Sequence, residues 1–226
     1  MDENKPDSSA LDDAPLDAAA MLALVEREQS GVSRQMARQI PWILLAWGIA
    51  WVVGYGALWL IDGAKPAFAL PLPVAVVIFA GLLVGAVVLS AIIGARAGRG
   101  IRSNRAAAFT GTVFGITGFA GFLSIYVFAA AMSANGMPER LEPIFFPTGM
   151  GIIIGIMYLM AGAIWRAVPA VVLGALLLVV ALVAPFFGYP NHYLFFALAG
   201  GAVFLGGAVS VALYSRGTQW KKRAGG

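Results

Sequence analysis

Long apolar runs alternate with short polar gaps along this chain. That alternation predicts an all-α polytopic protein whose helices cross a membrane six times. The runs fall at about 41–61, 70–95, 107–132, 144–164, 167–187 and 193–214, each near the ~20 residues a helix needs to span hydrocarbon. The gaps are Asp62-Gly63-Ala64-Lys65-Pro66, an arginine-rich stretch at 96–105, a polar loop at 133–143, Trp165-Arg166, and Gly188-Tyr189-Pro190-Asn191-His192. Trp165-Arg166 is the tightest joint. A single helix over 144–187 would be about 66 Å long, roughly twice a bilayer, so the pattern predicts a hairpin there, helped by Pro169.

Ahead of the first run the polarity changes. Residues 1–14 form an acidic cytoplasmic tail, predicted to be disordered because it has little apolar surface to bury. Asp12 or Asp13 before Pro15 signals a helix start, and a juxtamembrane helix follows over 15–39. Met21, Val25, Val32, Met36 and Ile40 lie roughly on one face, with Glu26, Arg27, Gln29, Arg34 and Arg38 over much of the rest. Two readings stay open: an amphipathic helix lying on the inner leaflet, or a solvated helical lead-in to the first span. Pro41 suits the first turn of that span, and Trp42, Trp47, Trp51 and Trp59 include interfacial anchors. The run is too long for a cleavable signal peptide, and the segment before it is acidic. The expected organisation is a tail at 1–14, the juxtamembrane helix at 15–39, a six-helix transmembrane domain at 40–214 and a basic cytoplasmic tail at 215–226.

Composition agrees with this pattern. The 226 residues are 60% hydrophobic and 12% charged, against about 25% charged in a typical soluble domain, and mean hydropathy is +0.85. A pI near 9.6 would suit nucleic acid, but the basic residues stand at the ends of apolar runs, where topology accounts for them. Of the 15 Lys and Arg residues, all but Lys65 and Arg140 fall on one side of the expected membrane. Cationic loops resist translocation, so that side is the cytoplasm and both termini lie in it. An Ala-, Gly- and Val-rich, lysine-poor composition suits a high-GC bacterium, placing the chain in a bacterial cytoplasmic membrane.

Few residues carry chemistry. With no cysteine there is no disulfide framework or thiolate, and one histidine, His192, rules out a bis-histidine haem or an HExxH zinc site. His192, beside Tyr189 and Tyr193, is expected at the outer surface as an interfacial residue. No Asp, Glu, Lys, Arg or His falls in the central part of any span, which argues against a self-contained proton-coupled transporter or pump. The third span is the most polar. Gly111, Gly115 and Gly118 share a face there, and with Thr117, Ser124 and Tyr126 they are candidates for helix packing or for lining a path. Gly81/Gly85 and Gly151/Gly155 repeat the small-xxx-small spacing, and ordinary packing is the simpler account of all three. Arg96, Arg99, Arg102 and Arg105 recur every third residue and are candidates for contact with anionic lipid head groups or an acidic cytoplasmic partner. Topogenic charge explains most of that cluster, though four arginines exceed what orientation needs. Glu139 and Glu142 flank Arg140 in the 133–143 loop. Two carboxylates three apart can bind a cation or act as an acid/base pair, and a solvated loop is the simpler reading. No P-loop, GxSxG elbow or paired intramembrane aspartates occur, so no enzyme and no cofactor are expected.

A cytoplasmic helix followed by six spans with both ends inside resembles, in layout, the membrane subunit of an ATP-binding-cassette exporter. In that family a short cytoplasmic segment between spans two and three couples to the ATPase, and Arg96 to Arg105 occupies that place. The resemblance implies a transport-related subunit without its own ATPase, partnered by the bilayer, anionic lipids and a cytoplasmic ATPase, in a homo- or hetero-oligomer. The alternative is a non-transporting scaffold, assembly or regulatory anchor that uses its tail and basic loops as contact surfaces.

Overall fold

The computed structural model describes the backbone of residues 18–97 and 105–224 and the side chains of residues 39–96 and 105–213. Among them there is no strand. Helix α1 is Ala18–Trp59, α2 Leu72–Ala97, α3 Arg105–Ala134, α4 Glu142–Ile164 and α5 Val168–Val183, the last continued by a 3-10 turn at Ala184–Phe187. The short helix α6, Asn191–Phe195, runs through a π-helical turn at Phe196–Gly200 into α7, Gly201–Ala224. Six segments are long and apolar enough to cross a membrane: Gln39–Trp59, Leu72–Arg96, Arg105–Ala134, Glu142–Ile164, Val168–Phe187 and Asn191–Leu213. They match the six predicted runs to within a few residues at each end.

One boundary differs from expectation. Pro41 does not open a new helix but stands inside α1, a continuous helix of 42 residues and about 63 Å. A proline removes one backbone donor from a helix interior, yet its φ is helical, and here the chain runs on through it. The charged and apolar faces expected over 15–39, and the tails at 1–14 and 215–226, involve side chains outside the described residues.

The tightest joint forms the predicted hairpin. Arg166 takes a left-handed φ of 51°, and the Ala167 N–H reaches back to the Gly162 carbonyl at 2.9 Å. This is the closing bond of a Schellman end, usually made over a glycine. Pro169 then lies in the first turn of α5, where its missing N–H costs nothing.

The largest buried side chains gather where α1 meets α6, the π-helical turn and α7, with α5 packed on α7. Trp51, Leu177, Phe196 and Phe204 are almost wholly buried. The Trp51 ring stands edge-on to Tyr55, Phe196 and Phe204 at centroid distances of 5.3, 5.8 and 5.2 Å. Such pairs add about 0.5–1.5 kcal/mol each beyond area burial. Close approach here depends on Gly200, where a Cβ would lie 2.3 Å from the Trp51 ring.

Helices α4 and α5 pack equally closely. A Cβ at Gly174 would meet the Gly155 carbonyl oxygen at 2.8 Å and the Leu159 nitrogen at 2.7 Å. Helix α2 packs on α1, with Phe79 5.0 Å from Tyr55. The Trp47 Nε1–H donates to Ser90 Oγ at 3.1 Å, and Ser90 Oγ donates to the Ala86 carbonyl at 2.7 Å. Helix α3 packs on α4. The order across the molecule is therefore α2, α1, α7, α5, α4, α3, an open row in which two helices adjacent in sequence occupy opposite edges.

Candidate functional site

Three loops gather at one end of the row: 60–71, 135–141 and 188–190. Side-chain bonds tie two of them together. Asp62 accepts from the Lys65 ammonium and from the Tyr189 hydroxyl, and Trp59 Nε1 donates to Asn191 Oδ1 at a long 3.4 Å. Both Lys65–Pro66 and Tyr189–Pro190 are cis. The Lys65 hydrogen bond, then that from Tyr189, hold the Asp62 carboxyl below its ordinary range. Tyr189 is shifted the opposite way, upward, first by burial and then by its bond to Asp62. Arg96, Arg105 and Arg166 stand exposed at the other end.

The start of α4, just past the third loop, is tied in through His192, and here the structure corrects the sequence reading. His192 is not at the surface but fully buried, at 0% exposure. Its Nε2 lies 2.9 Å from the Pro143 carbonyl oxygen, and its Nδ1 lies 3.3 Å from that of Gly188. A neutral imidazole has one N–H, and the shorter contact assigns it to Nε2, donating to Pro143. The reason lies in α4. In a helix the Pro143 carbonyl would accept from residue 147, which is Pro147 and has no N–H. Pro147 thus leaves the carbonyl four residues back without its helical donor, and His192 supplies one. The imidazole also lies 3.9 Å from the Tyr193 ring, centroid to centroid.

Pro143 and Tyr193 both line a groove of about 580 Å³ at this end. Its other walls are Tyr126, Ala129, Ala130 and Ser133 from the last turns of α3, Glu139 from the loop, and Glu142 and Phe146 from the start of α4. Tyr126 and Phe146 meet edge-on, with centroids 6.3 Å apart and planes at 87°. Glu139, Glu142 and Arg140 are exposed, and Arg140 forms no ion pair with either glutamate. Among the described residues no three His, Asp or Glu side chains gather as metal ligands would. A second groove, about 430 Å³, lies between α3 and α4 and includes Ile125, Phe128, Phe145 and Thr148. It is apolar except for the Thr148 hydroxyl, which is buried without a partner.

The residues singled out in the third span separate. Gly118 packs on Met157 of α4, whereas Gly111 and Gly115 have open space where a Cβ would stand. Phe114 already meets Trp165, the residue just past α4, at 5.2 Å, so Gly111 lies beyond that helix's reach. Thr117 and Ser124 are exposed, and the Ser124 hydroxyl bonds its own helix at the Ala120 carbonyl. Of that set only Tyr126 lines the groove. Gly151 and Gly155 pack against Ala181 and Leu178, while Gly81 and Gly85 face open space. Arg96 and Arg105 stand at the facing ends of α2 and α3, and Arg99 and Arg102 lie outside the described residues.

The glutamates of the groove were visible in the sequence as a pair. Tyr193 and His192 were not, although Pro147 within the fourth run signals a carbonyl, that of residue 143, in need of a donor. No protein-family model, no curated protein and no solved structure matches this chain.

Proposed function

We propose that the chain is a transport-related membrane subunit without an ATPase of its own, in a bacterial cytoplasmic membrane with both termini inside. The observation that carries this reading is the placement of α3. It sits at the edge of the row with its packing on α4, and its last turns form one wall of a groove open to water. A helix held along one side can move against its neighbour and change the groove's mouth, as a transport cycle requires. The span interiors hold no Asp, Glu, Lys or Arg, so proton coupling within the chain has no obvious carrier and the energy would come from a partner. The segment joining α2 to α3, with Arg96 and Arg105 at its two ends, is the natural place for a cytoplasmic ATPase to act, because it pulls on α3 directly. Anionic head groups would bind the same arginines.

A second reading, a non-transporting scaffold or assembly anchor, is favoured by the open glycines of α2 and α3, Gly81, Gly85, Gly111 and Gly115, which would admit a partner helix. Purification in mild detergent, paired with efflux measurements on a deletion strain, separates the two. Transport predicts a co-purifying ATPase and reduced efflux. A stable complex without an ATPase, and unchanged efflux, leaves the scaffold.

A further inference from the structure

The 580 Å³ groove at the end of the row sets carboxylates beside aromatic rings. Glu139 and Glu142 stand exposed at its rim without a cationic partner; among the described residues the one ion pair is Lys65–Asp62. Tyr126 and Phe146 present an aromatic corner beside them. Tyr193 lines the groove from α6, only 8% exposed, and its hydroxyl has no hydrogen-bond partner within the described chain. His192 holds the arrangement from behind, bonding the Pro143 carbonyl and lying against the Tyr193 ring.

These features select among ligands. Two unpaired carboxylates repel an anion. A hard divalent ion takes about six to eight oxygen ligands, more than two glutamates and a phenol supply. An organic ammonium ion suits all the walls at once: carboxylates offset its charge, ring faces attract it through their quadrupoles, and a phenol oxygen accepts an N–H. The volume, about 580 Å³, lies within the ordinary range of small-molecule sites. We propose that this groove binds a small organic ammonium cation, with Glu139 and Glu142 holding its charge, Tyr126 and Phe146 against its body, and the Tyr193 hydroxyl accepting one N–H. The site goes beyond the transport reading and stands without it, since the cation can be cargo or effector.

Titration calorimetry on the full chain in phosphatidylcholine nanodiscs, with empty discs as blank, tests the site. The probes are benzylammonium, benzyltrimethylammonium and the neutral benzyl alcohol. Both cations should bind saturably, and benzyl alcohol at least about tenfold more weakly, the loss of one charge-assisted interaction of ~1.4 kcal/mol or more. The Glu139→Gln/Glu142→Gln double variant should lose at least about tenfold for both cations. Tyr193→Phe should weaken benzylammonium about fivefold and leave benzyltrimethylammonium, which has no N–H, unchanged. Asp62→Asn, at the same end but outside the groove, should bind like the parent. Matching unfolding temperatures establish that the variants fold. As a second readout, benzylammonium should slow alkylation of Ser133→Cys by a neutral maleimide. Absence of saturable cation binding, equal affinity for benzyl alcohol, undiminished binding by the double variant, or no protection at Ser133→Cys overturns the proposal. Equal loss of both cations in Tyr193→Phe overturns the role of the hydroxyl.

Discussion

His192 shows how one side chain can organise an end of a membrane bundle. Its Nε2–H completes a carbonyl that Pro147 leaves without a donor, and its ring backs the Tyr193 ring. His192→Ala removes that donor and opens a cavity, so it should cost about 2–4 kcal/mol in unfolding from micelles, with His192→Gln recovering part of the loss. Equal stability of His192→Ala and the parent would falsify this role.

Asp62 gives a pH-dependent counterpart. Its folded-state pKa is lowered from 3.8 by the Lys65 and Tyr189 hydrogen bonds. The contribution is therefore complete well above pH 3.8 and is lost as pH falls below it through the lowered folded value. Tyr189 is raised above its ordinary 10.0, so its contribution is lost as pH rises above 10.0 toward the raised folded value. Asp62→Asn should flatten the acid limb of stability against pH, followed by tryptophan fluorescence, with little effect near neutrality. At this scale the sequence was only partly legible. The charges of Asp62, Glu139 and Glu142 and the absence of others within the spans could be read directly. The burial of His192 could not, because it depends on a carbonyl 49 positions away.

At the scale of elements, glycine has two different uses. Gly174 lies against backbone atoms of α4 that no rotamer change can move, whereas Gly85 faces open space. Gly174→Ala should therefore push α4 and α5 apart at a cost of about 1–3 kcal/mol. Gly85→Ala should change monomer stability by less than about 0.5 kcal/mol. Thermal unfolding of the two variants in the same detergent measures the contrast. A loss of co-purifying protein in Gly85→Ala, with stability unchanged, would mark α2 as a partner surface. Small-xxx-small spacing was visible in α2, α3 and α4 alike, yet only α4 uses its whole pair inside the chain. Spacing records which face can admit a close neighbour, and the row of helices decides which face receives one. Pro41 teaches the same lesson. Its fixed φ is as acceptable within a helix that tolerates one missing bond as in a first turn, and the local sequence does not distinguish the two.

At the scale of the molecule, the row leaves α2 and α3 at opposite edges with much apolar surface uncovered, including Val77 and Phe119 at 70% exposure each. In a bilayer such surface rests against lipid tails at no cost. Orientation across that bilayer is open to a direct test, since the chain has no cysteine of its own. With both termini inside, Ser133→Cys should react with an impermeant maleimide on intact cells, and Ser103→Cys only after permeabilisation. The reverse pattern would invert the topology and move the groove to the cytoplasmic side.

Sequence alone determined that six helices form and about where each begins and ends, because the bilayer obliges every backbone group to bond within its own segment and imposes a minimum apolar length. It also determined which side chains carry charge and how that charge alternates between gaps. The order of helices in the row, the burial of His192 behind Tyr193, and the joining of Glu139 and Glu142 to an unpartnered hydroxyl were decided by tertiary structure alone. Lipid-facing and helix-facing positions are equally apolar, so hydropathy carries no record of which neighbour each helix will choose.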